Sequence, residues 1–248
     1  VQRIVVVPPK LRYVTLAAVL KNVSKIGKKT IVFISCADSV DFHFIALINN
    51  GQFVRKDDIQ GSSAPDINDN TIIYKLHGSL SQRARTNTLN DFIKDDSEKG
   101  KILICTDVAS RGLDLPNIDE VIEFDPPFTI NDHLHRIGRT ARLGKEGESW
   151  LFLMPGLEEN YIEIIKPLHK KSQMQFESYE KVLEDGFAKI EDDPSTDSKL
   201  KGNKFNRVGS WDMHATTFQL NLERRVINEG RIKEMCEKAF LSHMRAYT

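Results

Sequence analysis

Short apolar runs alternate with amphipathic segments along the first two thirds of the chain. The runs are rich in valine, isoleucine and leucine, and most are followed by a stretch with apolar residues at helical spacing. Because runs that are apolar throughout are buried on both faces, the pattern predicts an α/β fold, an open parallel sheet with helices on both faces. The six predicted strands are residues 3–8, 29–35, 71–76, 101–106, 121–124 and 149–153.

Polar residues follow several of these runs directly. Ligands of an open parallel sheet bind beyond the carboxyl ends of its strands, so we expect the chemistry in the loops that leave those ends. The residues at these positions are Ser35, Cys36, His77, Gly78, Thr106, Asp107, Asp125 and Pro126.

The regular alternation is interrupted once and then ends. Residues 49–70 are rich in glycine, serine and aspartate and are predicted to be a surface insertion. The sheet domain is predicted to span residues 1–170. Residues 171–248 are predicted to form a C-terminal extension, with an acidic and then basic linker at residues 191–207.

The extension is predicted to be mainly helical, because Gly230 separates two segments with helical periodicity. The second segment carries an apolar stripe, which predicts that this helix packs on the sheet domain. The residues of the stripe are Ile232, Met235, Cys236, Ala239 and Phe240.

Composition narrows the function classes. The chain has 35 Lys and Arg against 35 Asp and Glu, so nucleic-acid binding would have to come from local patches. The three cysteines are scattered and lack metal-ligand spacing, which indicates a reducing compartment, cytosolic or nuclear. No apolar run is long enough to predict a membrane span. The chain begins at Val1, without methionine, and enters a strand at once, so we expect a piece of a longer protein.

The densest cationic segment is residues 135–142, HRIGRTAR. Thr129 and Asp132 form a helix-start signal before it, and Gly144 is a candidate stop. On an ideal helix of about 100° per residue, an apolar face and a cationic face separate. The residues expected on the apolar, core-facing side are Ile130, Leu134, Ile137 and Ala141.

The cationic face of this predicted helix carries His135, Arg139 and Arg142, with Arg136 beside them. Guanidinium groups are always charged and can grip two oxygens at once, so this face is suited to binding phosphate. A solvated basic helix face is the alternative, and helical spacing alone leaves the two interpretations about equal.

Two further segments carry candidate ligands. Gly78 leads to the N-cap residue Ser81 and then to Gln82 and Arg85 at the start of a helix, a place that attracts phosphate, although an ordinary capped helix is the simpler interpretation. Residues 106–114, TDVASRGLD, combine a hydroxyl, two carboxylates, an arginine and a glycine, which fits either a nucleotide site or a structural loop.

Taken together and in this order, the motifs resemble those of the DEAD-box RNA helicases. The segments TDVASRGLD and HRIGRTAR are similar to the fifth and sixth motifs of the second RecA-like domain of that family. The pair HG and QxxR is similar to its RNA-contacting motif, and IVFIS to the strand of its fourth motif. The resemblance covers residues 1–168 and implies a RecA-like sheet.

The resemblance implies a role for each matching residue. Arg139 and Arg142 would act as arginine fingers on the γ-phosphate of ATP bound to a partner domain. Gly112 and Asp114 would meet the ribose of that nucleotide, and His135 and Arg136 would couple this domain to its partner. The residues expected on the backbone of single-stranded RNA are Gly78, Gln82, Arg85 and Thr106.

The sequence departs from the family pattern at three places. Ala141 stands where the family usually has glycine, and the added methyl group should be tolerated in a helix. Cys36 stands where the fourth motif usually ends in threonine, and we expect no RNA contact from it because a thiol is a poor donor. The insertion at residues 49–70 is longer than usual.

The chain also lacks the motifs that would hold a nucleotide by themselves. It contains neither a phosphate-binding GxxxxGK[ST] loop nor the sequence Asp-Glu-Ala-Asp. ATP and Mg²⁺ would therefore be held mainly by an N-terminal RecA-like domain outside this sequence, and we expect this chain alone to be inactive as an ATPase.

The C-terminal sequence AFLSHMRAY, residues 239–247, resembles the extension of a nucleolar group of these helicases that acts in large ribosomal subunit assembly. The opening VVVPPKLRYVTLAAVL is similar to the same group. The resemblance implies a nuclear and nucleolar protein that acts on pre-ribosomal RNA, with pre-ribosomal particles as partners and no membrane association.

Three other interpretations remain open. A non-catalytic RNA-binding scaffold could retain the same motifs, and a DNA-directed helicase or nuclease subunit could share them. A plain nucleotide-binding α/β enzyme is disfavoured, because the chain lacks a glycine-rich dinucleotide fingerprint.

Overall fold

The computed structural model describes residues 1–48, 61–95, 97–107, 118–140, 147–169, 173–188 and 210–246. Its centre is one eight-stranded sheet with the strand order β3-β4-β5-β2-β6-β7-β1-β8. All neighbouring strands pair in parallel except β3, which is antiparallel to β4. Helices cover both faces, so the predicted α/β parallel sheet is confirmed.

The strands lie close to the predicted positions. Their bounds are Gln2–Val6 (β1), Lys29–Phe33 (β2), Ser62–Ser63 (β3), Thr71–Leu76 (β4), Gly100–Cys105 (β5), Glu120–Glu123 (β6), Glu148–Leu153 (β7) and Met174–Glu177 (β8). The central strands β2 and β5 are buried along almost their whole length, as continuous apolar runs require.

Eight α-helices are found in the described part of the chain. Their bounds are Arg12–Val23 (α1), Ala37–Ile48 (α2), Gln82–Lys94 (α3), Ile130–Ile137 (α4), Tyr161–Ile165 (α5), Tyr179–Phe187 (α6), Trp211–Asn228 (α7) and Gly230–Ala246 (α8). The single helix predicted over residues 158–170 is instead the short α5 between two 3₁₀ turns, Leu157–Asn160 and Lys166–Leu168, because Pro167 cannot continue a helix.

The sheet extends past the domain boundary that we expected at residue 170. Strand β8 pairs in parallel with β1, and α6 packs closely on α1. At this crossing a Cβ atom on Gly186 would lie 2.5 Å from Cα of Ala18, so only glycine allows the contact. Residues 173–188 therefore belong structurally to the sheet unit.

The second part of the predicted surface insertion also belongs to the sheet. Of residues 49–70, the structure describes 61–70, which form β3 and a turn. Ala64 and Ile67 are buried in the main core, so this stretch is a packed edge of the sheet.

The C-terminal extension is helical, and α7 and α8 pack on the sheet unit through α1, α2 and α6. In α7, the ring of Phe218 stacks on Tyr13 at 5.5 Å between centroids. In α8, Ile232 and Ala239 are buried, as the apolar stripe predicts. Phe240 was also expected to pack, but its side chain projects from the helix and is 62% exposed. No helix of the described residues is long and apolar enough to cross a membrane.

Candidate functional site at the carboxyl edge of the sheet

The arginine helix α4 starts as the sequence predicts. The Thr129 hydroxyl accepts a hydrogen bond from the backbone N–H of Asp132, at 3.1 Å, and caps the helix. The α-helix ends at Ile137 and a turn follows at Gly138, so it is shorter than the predicted segment that runs to Arg142. Arg142, Ala141 and the candidate stop Gly144 lie outside the described residues.

The prediction of which side of α4 faces the core is wrong. Ile130 and Leu134, expected to be buried, are 41% and 42% exposed. The buried residues of the helix are Asp132, His133 and Arg136. Polar groups on the neighbouring strands explain this orientation, because they provide partners for buried charges that the helical periodicity alone does not reveal.

Arg136 is fully buried and joins three strands. Its Nε and Nη2 donate to the two carboxylate oxygens of Asp107, at 2.7 and 2.9 Å, and Nη1 donates to the backbone oxygen of Asp125, at 2.8 Å. The guanidinium also lies 5.1 Å from the centroid of the Phe33 ring. Burial alone would lower the pKa of Arg136, but the hydrogen bond to Asp107 and the charge of Glu123 outweigh it and hold the pKa above its ordinary value.

A second buried polar pair lies beneath α4. His133 Nδ1 is 2.8 Å from the Oε2 atom of Glu123, and both side chains are 0% exposed. His133 Nε2 is 3.1 Å from Nε2 of His169. The second carboxylate oxygen of Glu123 is 3.8 Å from Arg136 Nη1. The two groups therefore form an ion pair without a hydrogen bond. These groups fix the rotation of α4 on the sheet.

His135 lies on the outer side of α4, and Arg139 lies in the turn that follows the helix. His135 is exposed and Arg139 is half-buried, with its Nε 3.3 Å from the backbone oxygen of His135. A half-buried guanidinium in the turn after this helix can meet an anionic phosphate, so Arg139 fits the predicted nucleotide role. Arg136, by contrast, has no exposed surface, so any part it has in coupling to a partner domain must act through Asp107 or Asp125.

Asp125, two residues after β6, accepts hydrogen bonds from two other elements. Its Oδ1 accepts from Arg12 Nη2 at 2.7 Å, and its Oδ2 accepts from the backbone N–H of Ser35 at 2.8 Å. Burial alone would raise the pKa of Asp125, but Arg12 and His243 lower it below its ordinary value. The carboxylate therefore remains ionised and ties α1, β2 and β6 together.

The residues expected on RNA gather at the ends of β4 and β5. Leu76 pairs with Cys105, so Gly78 and Thr106 follow neighbouring strand ends. Ser81 caps α3 by accepting from the backbone N–H of Ala84, at 3.1 Å.

On the first turn of α3, Arg85 donates to the side-chain oxygen of Gln82. Gly78 and Gln82 are exposed, and Arg85 and Thr106 are half-buried. The four residues expected on RNA thus lie along one open edge.

The histidine of the HG motif is structural. His77 is 0% exposed, and its Nε2 lies 3.2 Å from Asp41, which also pairs with Lys75 Nζ at 2.6 Å. Burial would raise the pKa of Asp41, but the hydrogen bonds from His77 and Lys75 lower it. This pairing fixes α2 to β4 next to Gly78.

The predicted ribose contacts Gly112 and Asp114 lie outside the described residues. Cys36, from which we expect no RNA contact, has its Sγ 3.1 Å from Ser39 Oγ within its own helix turn. Among the described residues, no group of three or more His, Cys, Asp or Glu side chains could hold a metal ion.

Sequence reasoning did not identify the buried ionic cluster of Asp107, Glu123, His133 and Arg136. One signal for it was present, since the carboxylates of Glu123 and Asp125 stand two residues apart at the end of the buried strand β6. Carboxylates at the end of a buried strand need partners, and a following helix with His and Arg four positions or fewer apart can supply them.

Comparison with known proteins shows the family to which the chain belongs. Residues 14–144 match the family described as Helicase conserved C-terminal domain, and because the match covers more than half of the chain, the chain belongs to that family. It is similar to the ATP-dependent RNA helicase DBP7 of Candida albicans, with 48% identity over 269 residues, covering 100% of this chain and 36% of that protein. The chain thus spans about a third of the length of this relative.

Solved structures share the fold. A DEAD box protein from the hyperthermophile Methanococcus jannaschii is 25% identical with a TM-score of 0.53, covering 71% of this chain and 41% of that one. S. cerevisiae Dbp5 bound to RNA and ADP BeF3 is 21% identical with a TM-score of 0.55, covering 73% of this chain and 42% of that one. The predicted DEAD-box resemblance and RecA-like fold, with a helical C-terminal extension, are confirmed.

Proposed function

We propose that this chain is the second motor domain of an ATP-dependent RNA helicase, and that it supplies the arginine fingers and half of the RNA-binding surface. The observation that carries the proposal is the arrangement of one sheet edge. Arg136 locks α4 to Asp107 at this edge, and Gln82 and Arg85 lie on the first turn of α3 at the same edge. Arg139 follows α4 in the turn that begins at Gly138 and is half-buried.

ATP, with Mg²⁺, supplies the phosphoanhydride bond whose hydrolysis drives the cycle, and both would be held mainly by the N-terminal RecA-like domain of the same protein. In this chain, Arg139 and Arg142 would neutralise negative charge on the γ-phosphate, and Gly112 and Asp114 would contact the ribose. Gly78, Gln82, Arg85 and Thr106 would hold the RNA backbone without reading its sequence.

The biological setting is proposed from the named relative and the C-terminal sequence. The chain is similar along its whole length to an ATP-dependent RNA helicase, extension included. We therefore propose a nuclear, nucleolar protein that remodels pre-ribosomal RNA during large-subunit assembly, with pre-ribosomal particles as partners.

The test compares the full-length protein with this chain. The full-length protein should hydrolyse ATP faster when single-stranded RNA is added, and single-stranded DNA of equal length should stimulate it much less. This chain alone should release no phosphate above background. RNA-dependent hydrolysis by the chain alone would contradict the division of the active site.

The alternative is a non-catalytic RNA-binding scaffold in ribosome assembly. It would bind RNA through the same edge but show no RNA-stimulated hydrolysis in the full-length protein, so the same assay separates the two functions.

A further inference from the structure

Helix α8 of the C-terminal extension ends at the carboxyl edge of the sheet. It runs antiparallel to α2, and Ser39 Oγ donates to the backbone oxygen of Ala239 at 3.4 Å. One turn later, Ser242 Oγ donates to the carboxylate of Asp38. These contacts bring the next residue, His243, over the loop that follows β2.

His243 closes a polar junction between three elements. Its Nδ1 is 3.1 Å from Ser35 Oγ and 3.8 Å from the Oδ2 atom of Asp125. The same Oδ2 accepts the backbone N–H of Ser35, at 2.8 Å, and Asp125 is only 2% exposed. The extension, the loop after β2 and the loop after β6 therefore meet at one buried carboxylate.

The two sides of the junction lead to the two proposed sites. The backbone oxygen of Asp125 accepts from Arg136, which holds the arginine helix and also grips Asp107, the residue after Thr106. Ser35 lies at the end of β2, the strand between β5 and β6. A shift of either residue at this junction would reach the RNA edge and the arginine helix together.

We propose that His243 is a positioning residue, through which the C-terminal extension couples RNA binding to ATP turnover by holding Ser35 and Asp125 in place. This inference rests on the proposed helicase function. His243 belongs to neither proposed ligand site, and its effect passes through Ser35 and Asp125.

The positioning role is separable from simple packing of α8. The helix is anchored by buried Ile232 and Ala239, whereas the His243 side chain is still 24% exposed. Removing the imidazole therefore removes polar contacts and leaves the apolar contacts of the helix intact. Met244, the next residue, is 50% exposed and provides a matched control.

The experiment uses the full-length protein with three substitutions: His243→Ala, His243→Asn and Met244→Ala. ATP turnover is measured without RNA and with a titration of single-stranded RNA, and thermal unfolding is followed in parallel. Loss of one hydrogen bond in the junction should reduce the RNA stimulation of His243→Ala by about three- to tenfold, with turnover in the absence of RNA unchanged.

The asparagine variant should restore most of the stimulation, because its amide can replace Nδ1 against the serine hydroxyl. Met244→Ala should match the unsubstituted protein. Adding Ser35→Ala to His243→Ala should cause little further loss, since both changes break the same contact.

Three results would overturn the inference: unchanged stimulation in His243→Ala, an equal fall of turnover with and without RNA, or no rescue by asparagine. If the unsubstituted protein shows no RNA stimulation at all, the proposed function itself fails and the inference fails with it. The first three results leave the proposed function standing, so the two failures are distinguishable.

Discussion

Arg136 and Asp107 form a bidentate ion pair between the arginine helix and the end of β5, with N···O distances of 2.7 and 2.9 Å. The guanidinium is completely buried, and the same group also donates to the end of β6. The helix that leads into Arg139 is thus held by an arginine of the same motif. One motif therefore contains both a structural arginine and a proposed catalytic one.

We expect Arg136→Met to lower the free energy of unfolding by about 3–5 kcal/mol, because it removes the cation beside the buried carboxylate of Glu123 and the half-buried carboxylate of Asp107. Denaturant unfolding of the 248-residue chain measures the change. Arg83→Met is the matched control on an exposed position of α3 and should change stability by less than about 0.5 kcal/mol. Equal stability of the two variants would show that the buried pair contributes nothing.

We expect Arg139→Ala to reduce RNA-stimulated ATP turnover of the full-length protein by roughly three orders of magnitude or more, because it removes the proposed arginine finger. Stability should hardly change, since the side chain is only half-buried. A lysine at this position should restore little, because it cannot present a planar pair of donors. A near-normal rate for the alanine variant would exclude Arg139 from this role.

We expect Arg85→Ala to weaken RNA binding to a similar degree for all sequences, because a phosphate contact carries no base information. The slope of log affinity against log salt should fall by about one. Lys94→Ala, an exposed cation at the other end of α3, is the control and should leave the slope unchanged. Fluorescence anisotropy with two unrelated single strands at several salt concentrations measures both quantities.

We expect Glu120→Gln to stabilise the chain at neutral and alkaline pH. Burial and the charge of Glu148, its direct neighbour on β7, raise the pKa of Glu120 to about 7. The folded state thus keeps this proton to higher pH than the unfolded chain. The contribution of protonated Glu120 to the free energy of unfolding is fully present below the pKa of the unfolded state. It is lost as the pH rises through the pKa of the folded state.

The glutamine variant removes this loss, so the gain should appear between about pH 4.5 and 7 and reach roughly 1–3 kcal/mol at pH 8. Unfolding measured at pH 5 and pH 8 gives the comparison. Glu184→Gln, on an exposed position of α6, should show no such pH-dependent gain. A constant difference between variant and unsubstituted chain at both pH values would argue against a raised pKa.

The sequence predicts the centre of the fold well, for a clear physical reason. Strands such as β2 and β5 are buried on both faces, so their residues are apolar throughout and are visible in any window. Strand β8 escapes this test, because Met174–Glu177 lies at the sheet edge with no fully buried residue and no apolar run. The two-residue strand Ser62–Ser63 offers still less to recognise.

The site shows the same division. The loops that carry Gly78, Thr106 and Asp125 could be placed together from the parallel order alone, since all strand ends meet at one edge. The rotation of α4 about its axis could not be predicted, because helical periodicity assigns Leu134 to the core and Arg136 to the surface. In the structure Leu134 is exposed and Arg136 is buried, because Asp107 after β5 and Glu123 in β6 neutralise the buried cation.

The strand order sets a distance between the two proposed ligands. Helix α3 follows β4 and helix α4 follows β6, with β5 and β2 between them. Three interstrand spacings of about 4.8 Å put the starts of these helices about 14 Å apart. The ends of β5 and β2, followed by Asp107 and Ser35, fill that gap. Communication between the two helices would therefore pass through the loops that leave these two central strands.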